Sequence, residues 1–397
     1  MKLAAVSRLR NLKAKKILLR VDFNIPLGPN GRIGPAEDLK LRACLPTIEL
    51  LLKAGARVIA VSHLGRPKGC DEKYSLAPVA KHLSKLLGKK VLFVDDCLEE
   101  PGAVEKRLKK LGNGQLALLE NIRFYDEEEE NDPKFAARLA TLADLFVNDA
   151  FATAHRAHAS TAGVTKHLKS FAGLLLEKEI RSLDRALKDP ARPFYVLMGG
   201  AKISSKFPTL VKMLRVANKV FIGGGMANNF FKAKGYETGK SLVSADEVKL
   251  ARKLLKNKKL VLPDDVLAAT SLDGDKAKVR VCLPQELKKN EYIVDIGTVS
   301  MRHFALELKK AQTLVWNGPV GLFETKKFSH GSIILGRVIA ARSKGRAFGV
   351  VGGGETIACL EQTGMAEYVD HVSTGGGAML EYLSGVVLPG IKPLLKK

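Results

Sequence analysis

The chain has 397 residues, enough for two domains of ordinary size, and its 46% apolar and 27% charged content marks a folded rather than a disordered protein. No apolar run approaches the roughly 20 residues a membrane span needs. Lysine and arginine number 65 against 41 acidic residues, a net charge of +24 that favours phosphate-bearing partners, nucleic acid among them.

The opening MKLAAVSRLRNLKAKK is charged without a sustained apolar core, so no signal peptide is expected. KILLRVDFN (16–24) then reads as a strand. LRACLPTIELLLKAG (41–55) has helical apolar spacing and ends at Gly55, a natural C-cap. A second strand, RVIAVSHLGRP (57–67), precedes the helix PVAKHLSKLLGKK (78–90), which stops near Gly88. LALLENIRF (116–124) is a third strand. After the acidic run 127–130, Asn131 or Asp132 can cap a helix whose first turn holds Pro133. LFVNDAFATAHRAH (145–158) is a fourth strand, and LLLEKEIRSLDRALKD (174–189) reads as one helix connecting two halves.

In the second half, FYVLMGGAKISSK (194–206), VFIGGGMANNF (220–230), LVLPDD (260–265), YIVDIGT (292–298), TLVWNGPVGLFE (313–324) and FGVVGGGET (348–356) each run from an apolar strand to glycine or acid. Alternating strands and helices predict an α/β fold of two doubly wound parallel sheets. The final YLSGVVLPGIKPLLKK has little periodicity and is expected to pack back on another part of the chain.

Ligands of an open parallel α/β sheet bind beyond the carboxyl ends of its strands. The four strand ends of the first half carry Asp22, Asn24, His63, Arg66, Arg123, His155 and Arg156. Together they describe a basic pocket for a small, multiply charged anion, because arginine forks match phosphate and carboxylate oxygens. His155 and His158 have the spacing of a metal pair, but no third ligand is near and the arginines would repel a cation. No GxSxG elbow is present, which argues against a serine hydrolase. Cys44, Cys70, Cys97, Cys282 and Cys359 form no CxxC, so neither a zinc site nor a disulfide framework is indicated and a cytoplasmic location is expected. The lysines are spread along the chain without interleaved aromatics, which reads first as solvated helix faces.

In the second half, GGAK (199–202), GGGM (223–226) and GGGET (352–356) follow strands. Glycine turns let backbone N–H groups approach a phosphate, and the next helix offers its positive end. None is a GxxxxGK[ST] or GxGxxG motif. Lys202 and Lys206 are four apart and would share a helix face. Glu355 could hold Mg²⁺ on a nucleotide or merely complement a helix dipole.

RVDFNIP (20–26), SHLGRP (62–67), LLENIRF (118–124), VNDAFATAHRAHAST (147–161), GGAKIS (199–204), GGGMA (223–227), WNGPVGLFE (316–324) and STGGGAMLEYLSG (373–385) closely resemble the phosphoglycerate kinase family in order and spacing. The resemblance implies reversible phosphoryl transfer between 1,3-bisphosphoglycerate and ADP, giving 3-phosphoglycerate and ATP with Mg²⁺. It implies two Rossmann-like domains joined by a helix, with a cleft between them that closes. The expected division is 1–172 for phosphoglycerate, 173–189 as connector and 190–378 for nucleotide, with about 379–397 returning to the first domain. By motif, Asp22, Asn24, His63, Arg66, Arg123 and Arg156 would bind phosphoglycerate. Gly200, Ala201, Lys202, Lys206, Gly223, Gly224, Asn317, Pro319, Leu322, Glu324 and the turn Gly352, Gly353, Gly354, Glu355 and Thr356 would serve the nucleotide, with Glu355 toward the metal. Lys40, Lys202, Lys206, Gly353 and Gly376 would act in catalysis, in a protein expected to be monomeric.

The chain departs from the family at Lys40, where arginine is usual, at Glu355 for aspartate and at Ser205 for aspartate. Smaller departures are Ala152 for glycine and Thr298 for proline. Lysine keeps the charge but not the planar fork, and Arg42 faces elsewhere on the helix. The expectation is an active enzyme with altered metal or nucleotide preference. The alternatives are a weakly active relative and a basic nucleic-acid-binding protein that retains the fold.

Overall fold

The computed structural model describes residues 2–34, 38–95 and 102–396; Cys97 lies outside them. The chain folds as two units, Met1–Arg181 with Val387–Lys397, and Ser182–Val386.

The first unit is built on a six-stranded parallel sheet. Its spatial order is Val91–Val94, Leu116–Leu119, Arg57–Val61, Lys16–Arg20, Leu145–Asn148 and Ser170–Ala172. Such a sheet is covered on both faces, so its strands are apolar at successive positions. Ile17 and Leu19 face one core with Leu41 and Ile48, while Leu18 faces another with Phe135, Leu139 and Phe146. Lys16–Arg20 is central, which puts its carboxyl end at the middle of the sheet edge.

Local signals set the helix limits. Helix Leu39–Lys53 is capped at Ala54, and Gly55 follows at φ +73°. Helix Ala77–Leu87 ends in left-handed Gly88. Around residue 131 the chain does two things: left-handed Asn131 closes the acidic helix Asp126–Glu130, and the Asp132 side chain accepts the Phe135 N–H at 2.7 Å to open Pro133–Thr141.

The segment from Val387 returns to the first unit. Leu3 and Leu395 form an antiparallel bridge, the Ala4 N–H donates to the Leu394 carbonyl at 2.9 Å, and the Gly390 N–H donates to the Ala154 carbonyl at 2.8 Å.

The second unit has its own six-stranded parallel sheet, ordered His371–Ser373, Phe348–Gly352, Thr313–Asn317, Phe194–Met198, Lys219–Ile222 and Leu260–Val261. Trp316 is fully buried in its core with Leu197, Phe304 and Ile339. One expected strand is placed elsewhere. Tyr292–Ile296 joins Val266–Ala269 and Val279–Cys282 in a three-stranded antiparallel sheet. Residues 270–278 join Val266–Ala269 to Val279–Cys282, too few for the crossover that a parallel pair needs, and Val279–Cys282 is largely exposed, as suits a sheet with one solvated face. Among the described residues no helix is long and apolar enough to cross a membrane.

Candidate active site

The first unit gathers its basic strand ends through a buried polar lattice. Lys40 reaches from helix Leu39–Lys53 to Asp22 Oδ2 at 2.9 Å and to the Asn24 carbonyl at 3.1 Å. Burial alone would raise the Asp22 carboxyl, but Lys40, through its charge and hydrogen bond, and the Asn24 N–H bring it below its ordinary value. His63 Nδ1 lies 3.9 Å from Asp22 Oδ1 and 3.3 Å from Arg20 Nη2. Burial holds the imidazole far below its usual pKa, and Arg20, Arg123 and Lys40 add to that against Asp22. His63 is therefore neutral at pH 7.

Asn24 Oδ1 accepts the Gly65 N–H at 2.9 Å, and Arg123 Nη1 donates to the Gly65 carbonyl at 2.8 Å. The loop after the second strand is thus held between two of the expected ligands, with Arg66 exposed one residue on. Asn121 completes the fastening: its Oδ1 accepts the Leu64 and Arg123 N–H groups, and its Nδ2 donates to the Leu64 and Tyr74 carbonyls. Arg156 Nε lies 3.4 Å from His155 Nε2. Arg123 Nη2 and Arg156 Nη1 both approach Glu129 Oε1, at 2.8 and 3.7 Å. Arg42 instead pairs with Asp38, at 2.6 and 2.9 Å.

Arg20, Asn121, Glu128, Glu129 and Ser160 are site residues that sequence reasoning missed. Arg20 Nε donates to Ser160 Oγ at 2.8 Å, and Ser160 Oγ donates to Glu128 Oε1 at 2.6 Å, all three side chains being buried. An arginine inside the apolar run KILLRVD was a readable signal for Arg20. Glu128 sits among four consecutive glutamates, where nothing distinguishes the buried one. A cavity of about 740 Å³ opens beside Asn24, Gly65 and Tyr74, and among the described residues no arginine or histidine lines it.

In the second unit the glycine turns meet at the carboxyl edge of the sheet. The Gly199 N–H donates to the Asn317 carbonyl at 3.0 Å, Gly200 to Pro319 at 2.9 Å and Gly224 to Val320 at 2.8 Å. A Cβ on Gly199 would lie 2.0 Å from the Pro319 oxygen, so only glycine permits this approach. Lys206 Nζ donates to the Gly199 carbonyl at 2.7 Å. Burial pushes its ammonium down to about 8, with Glu355 opposing. Lys202 and Lys206 do not share a helix face: Lys206 ends the short 3-10 helix Ser204–Lys206, while Lys202 lies exposed in the turn before it.

A cavity of about 400 Å³ adjoins these turns. Gly200, Ala201, Gly224, Pro319, Leu322, Glu324 and Glu355 line it. Lys202, Lys206, Gly223, Asn317, Gly352, Gly353, Gly354 and Thr356 are not among its walls. Several of these brace the turns instead: Asn317 Nδ2 donates to the Gly352 carbonyl at 2.7 Å, and the Gly318 N–H donates to Thr356 Oγ1 at 2.6 Å. Gly353, at φ +101°, precedes helix Gly354–Gln362, and Gly376, at φ +49°, precedes Gly377–Ser384. The cavity's apolar walls include Leu242, Leu272 and Tyr292, which sequence reasoning missed. Tyr292 belongs to the antiparallel sheet, which the strand-end rule does not reach.

The departures from the family pattern fit the local backbone. Ala152 lies in the 3-10 helix Phe151–Thr153 without positive φ, and Thr298 opens helix Thr298–Leu308. Ser205 Oγ donates to the Lys202 carbonyl at 3.3 Å. Glu355 is exposed at the start of its helix, and among the described residues no cluster of three or more acidic, histidine or cysteine side chains could hold a metal. A lone carboxylate suits magnesium that also takes phosphate oxygens.

The family model for phosphoglycerate kinase matches residues 6–386. A phosphoglycerate kinase of Pelotomaculum thermopropionicum is 48% identical, over 98% of this chain and 98% of the relative. The solved phosphoglycerate kinase of Coxiella burnetii is 41% identical with a TM-score of 0.86, covering 99% of each chain. That of Pyrococcus horikoshii is 32% identical with a TM-score of 0.85, covering 98% of each.

Proposed function

The chain belongs to the phosphoglycerate kinase family, and from that premise we propose how its residues divide the reaction. It is a kinase that transfers a phosphoryl group reversibly between 1,3-bisphosphoglycerate and ADP, giving 3-phosphoglycerate and ATP. Asp22, Asn24, His63, Arg66, Arg123 and Arg156 bind the phosphoglycerate. Gly200, Ala201, Gly224, Pro319, Leu322 and Glu324 contact the nucleotide in the cavity. Lys202, Lys206, Gly223, Asn317, Gly352, Gly353, Gly354 and Thr356 serve its phosphates, and Glu355 holds Mg²⁺. Bound there, the ion would spread the negative charge of the nucleotide phosphates.

In the direction of ATP synthesis, a β-phosphate oxygen of ADP attacks the acyl phosphate. A new P–O bond forms, the bond to the acyl oxygen breaks, and a carboxylate leaves. That leaving group is a stable anion, so no general acid is required, which agrees with a His63 held neutral. The demand is for positive charge and position. Lys40, fixed on Asp22 and the Asn24 carbonyl, supplies an ammonium on the phosphoglycerate side. Lys206 supplies its counterpart for the nucleotide, while Gly353 and Gly376 let backbone approach the transferring group. The division is 1–172 for phosphoglycerate and 190–378 for nucleotide, with 173–189 connecting them; of the expected tail 379–397, the part from Val387 serves the first. The enzyme works as a cytoplasmic monomer.

The observation that carries this assignment is Lys206, partly buried on the Gly199 carbonyl beside a cavity that Glu355 lines. A coupled assay with 3-phosphoglycerate, ATP and Mg²⁺ tests it. Folded protein that shows no turnover above background overturns the reading.

A further inference from the structure

Glu129 stands where an anionic ligand belongs. One of its oxygens serves both Arg123, at 2.8 Å, and Arg156, at 3.7 Å. The pair is unevenly sheltered: the Arg123 side chain is 7% exposed and that of Arg156 37%. Arg123 donates to the Gly65 carbonyl through Nη1, yet among the described residues its buried Nε has no hydrogen-bond partner. Glu129 therefore satisfies this guanidinium only in part. The two cations also burden one another. Burial lowers the Arg123 pKa, Glu129 opposes that, and Arg156 adds to the lowering.

The neighbouring glutamate has a different fate. Glu128 is fully buried, accepting the Ser160 N–H at 2.8 Å and the Ser160 hydroxyl at 2.6 Å. Glu129 is 51% exposed, and among the described residues its carboxylate is held by the charges of Arg123 and Arg156. It can swing into water by a rotamer change, with the helix Asp126–Glu130 held in place by Glu128.

We infer that Glu129 is a placeholder carboxylate, occupying Arg123 and Arg156 while the site is empty and displaced by an anionic oxygen of the phosphoglycerate. This rests on the assignment of those arginines to that substrate. Glu129 is thus a positioning residue with two opposed effects. It keeps two repelling guanidinium groups aimed at one point, and it competes with the ligand they are aimed at. A site whose competent form is only partly populated binds with its intrinsic affinity reduced by that fraction. Glu129 sets that fraction, so it holds affinity down and eases release of the product.

Glu129→Gln removes the charge at nearly constant shape. The KM for 3-phosphoglycerate is expected to fall about threefold to fivefold, the scale of a half-exposed ion pair. Inorganic sulfate, competing with 3-phosphoglycerate, should inhibit at a concentration lower by the same factor, while the KM for ATP stays put. Glu129→Asp withdraws the carboxylate by one methylene and should give an intermediate fall. A KM for 3-phosphoglycerate that rises or does not move in a Glu129→Gln protein of unchanged melting temperature overturns the inference. Should Glu129→Gln melt early, Glu129→Asp decides, and an unlowered KM there overturns it equally. Arg156→Ala separates the two levels. If it leaves the KM for 3-phosphoglycerate unmoved, the site assignment itself falls. If it raises that KM while the Glu129 variants do not lower it, only the placeholder role falls.

Discussion

Lys40 puts a compact charge on a flexible stem, steadied by Asp22 and the Asn24 carbonyl. Arginine would offer a planar fork that matches phosphate oxygens. Lys40→Arg is expected to preserve or raise kcat in the coupled assay. A large loss would show that the pocket has adapted to the shorter cation. Lys206 makes a second prediction at this scale. Its ammonium, pushed by burial to about 8, is complete only below that pH. The KM for ATP should therefore rise as pH climbs through about 8, and Lys206→Arg should remove that inflection because arginine stays charged. A wild-type KM that is flat from about pH 7 to 9 would separate Lys206 from the nucleotide. Single residues were legible where their type was unusual for the place, as arginines and histidines are at strand ends. Glu129 was not legible: its meaning is a shared oxygen between two side chains, which exists only after folding.

Strands and their terminal turns are where the chain was easiest to read. Apolar runs bounded by glycine or polar clusters marked Lys16–Arg20, Arg57–Val61, Thr313–Asn317 and Phe348–Gly352, because a sheet buried on both faces needs such runs. The same signal misplaced Tyr292–Ile296. Its ending looks like the others, and partner and direction are decided by distant contacts rather than by the segment itself. The glycine turns depend on the same long-range fit. A Cβ at Gly199 would stand 2.0 Å from the Pro319 oxygen and force two strand ends apart. Gly199→Ala should lower kcat/KM for ATP by on the order of 10²-fold, the usual result of moving a reacting group by about 1 Å. Retained activity in a folded variant would mean that the turn absorbs the methyl group.

For the whole molecule, the net charge of +24 allowed a nucleic-acid reading that the family match over residues 6–386 does not favour. A kinase of anionic substrates has its own use for such a charge, since a cationic surface raises the local substrate concentration and salt screens it. The KM for 3-phosphoglycerate should accordingly increase with ionic strength between about 0.01 and 0.2 M, measured with a neutral buffer and potassium chloride. An insensitive KM would leave the excess charge without a part in substrate capture.

The return of residues 387–396 to the first unit has a consequence for biosynthesis. Domains usually fold as units while the ribosome is still adding residues. The unit Ser182–Val386 is one unbroken stretch, so every residue it needs is available once Val386 has been made. The first unit, although it starts earlier, still lacks the Leu394 and Leu395 partners of its Ala4 and Leu3. It also lacks Gly390, whose N–H meets the Ala154 carbonyl two residues before Arg156. The half translated first is therefore the half finished last, and the turn that carries Arg156 is braced only when synthesis has passed beyond the nucleotide half.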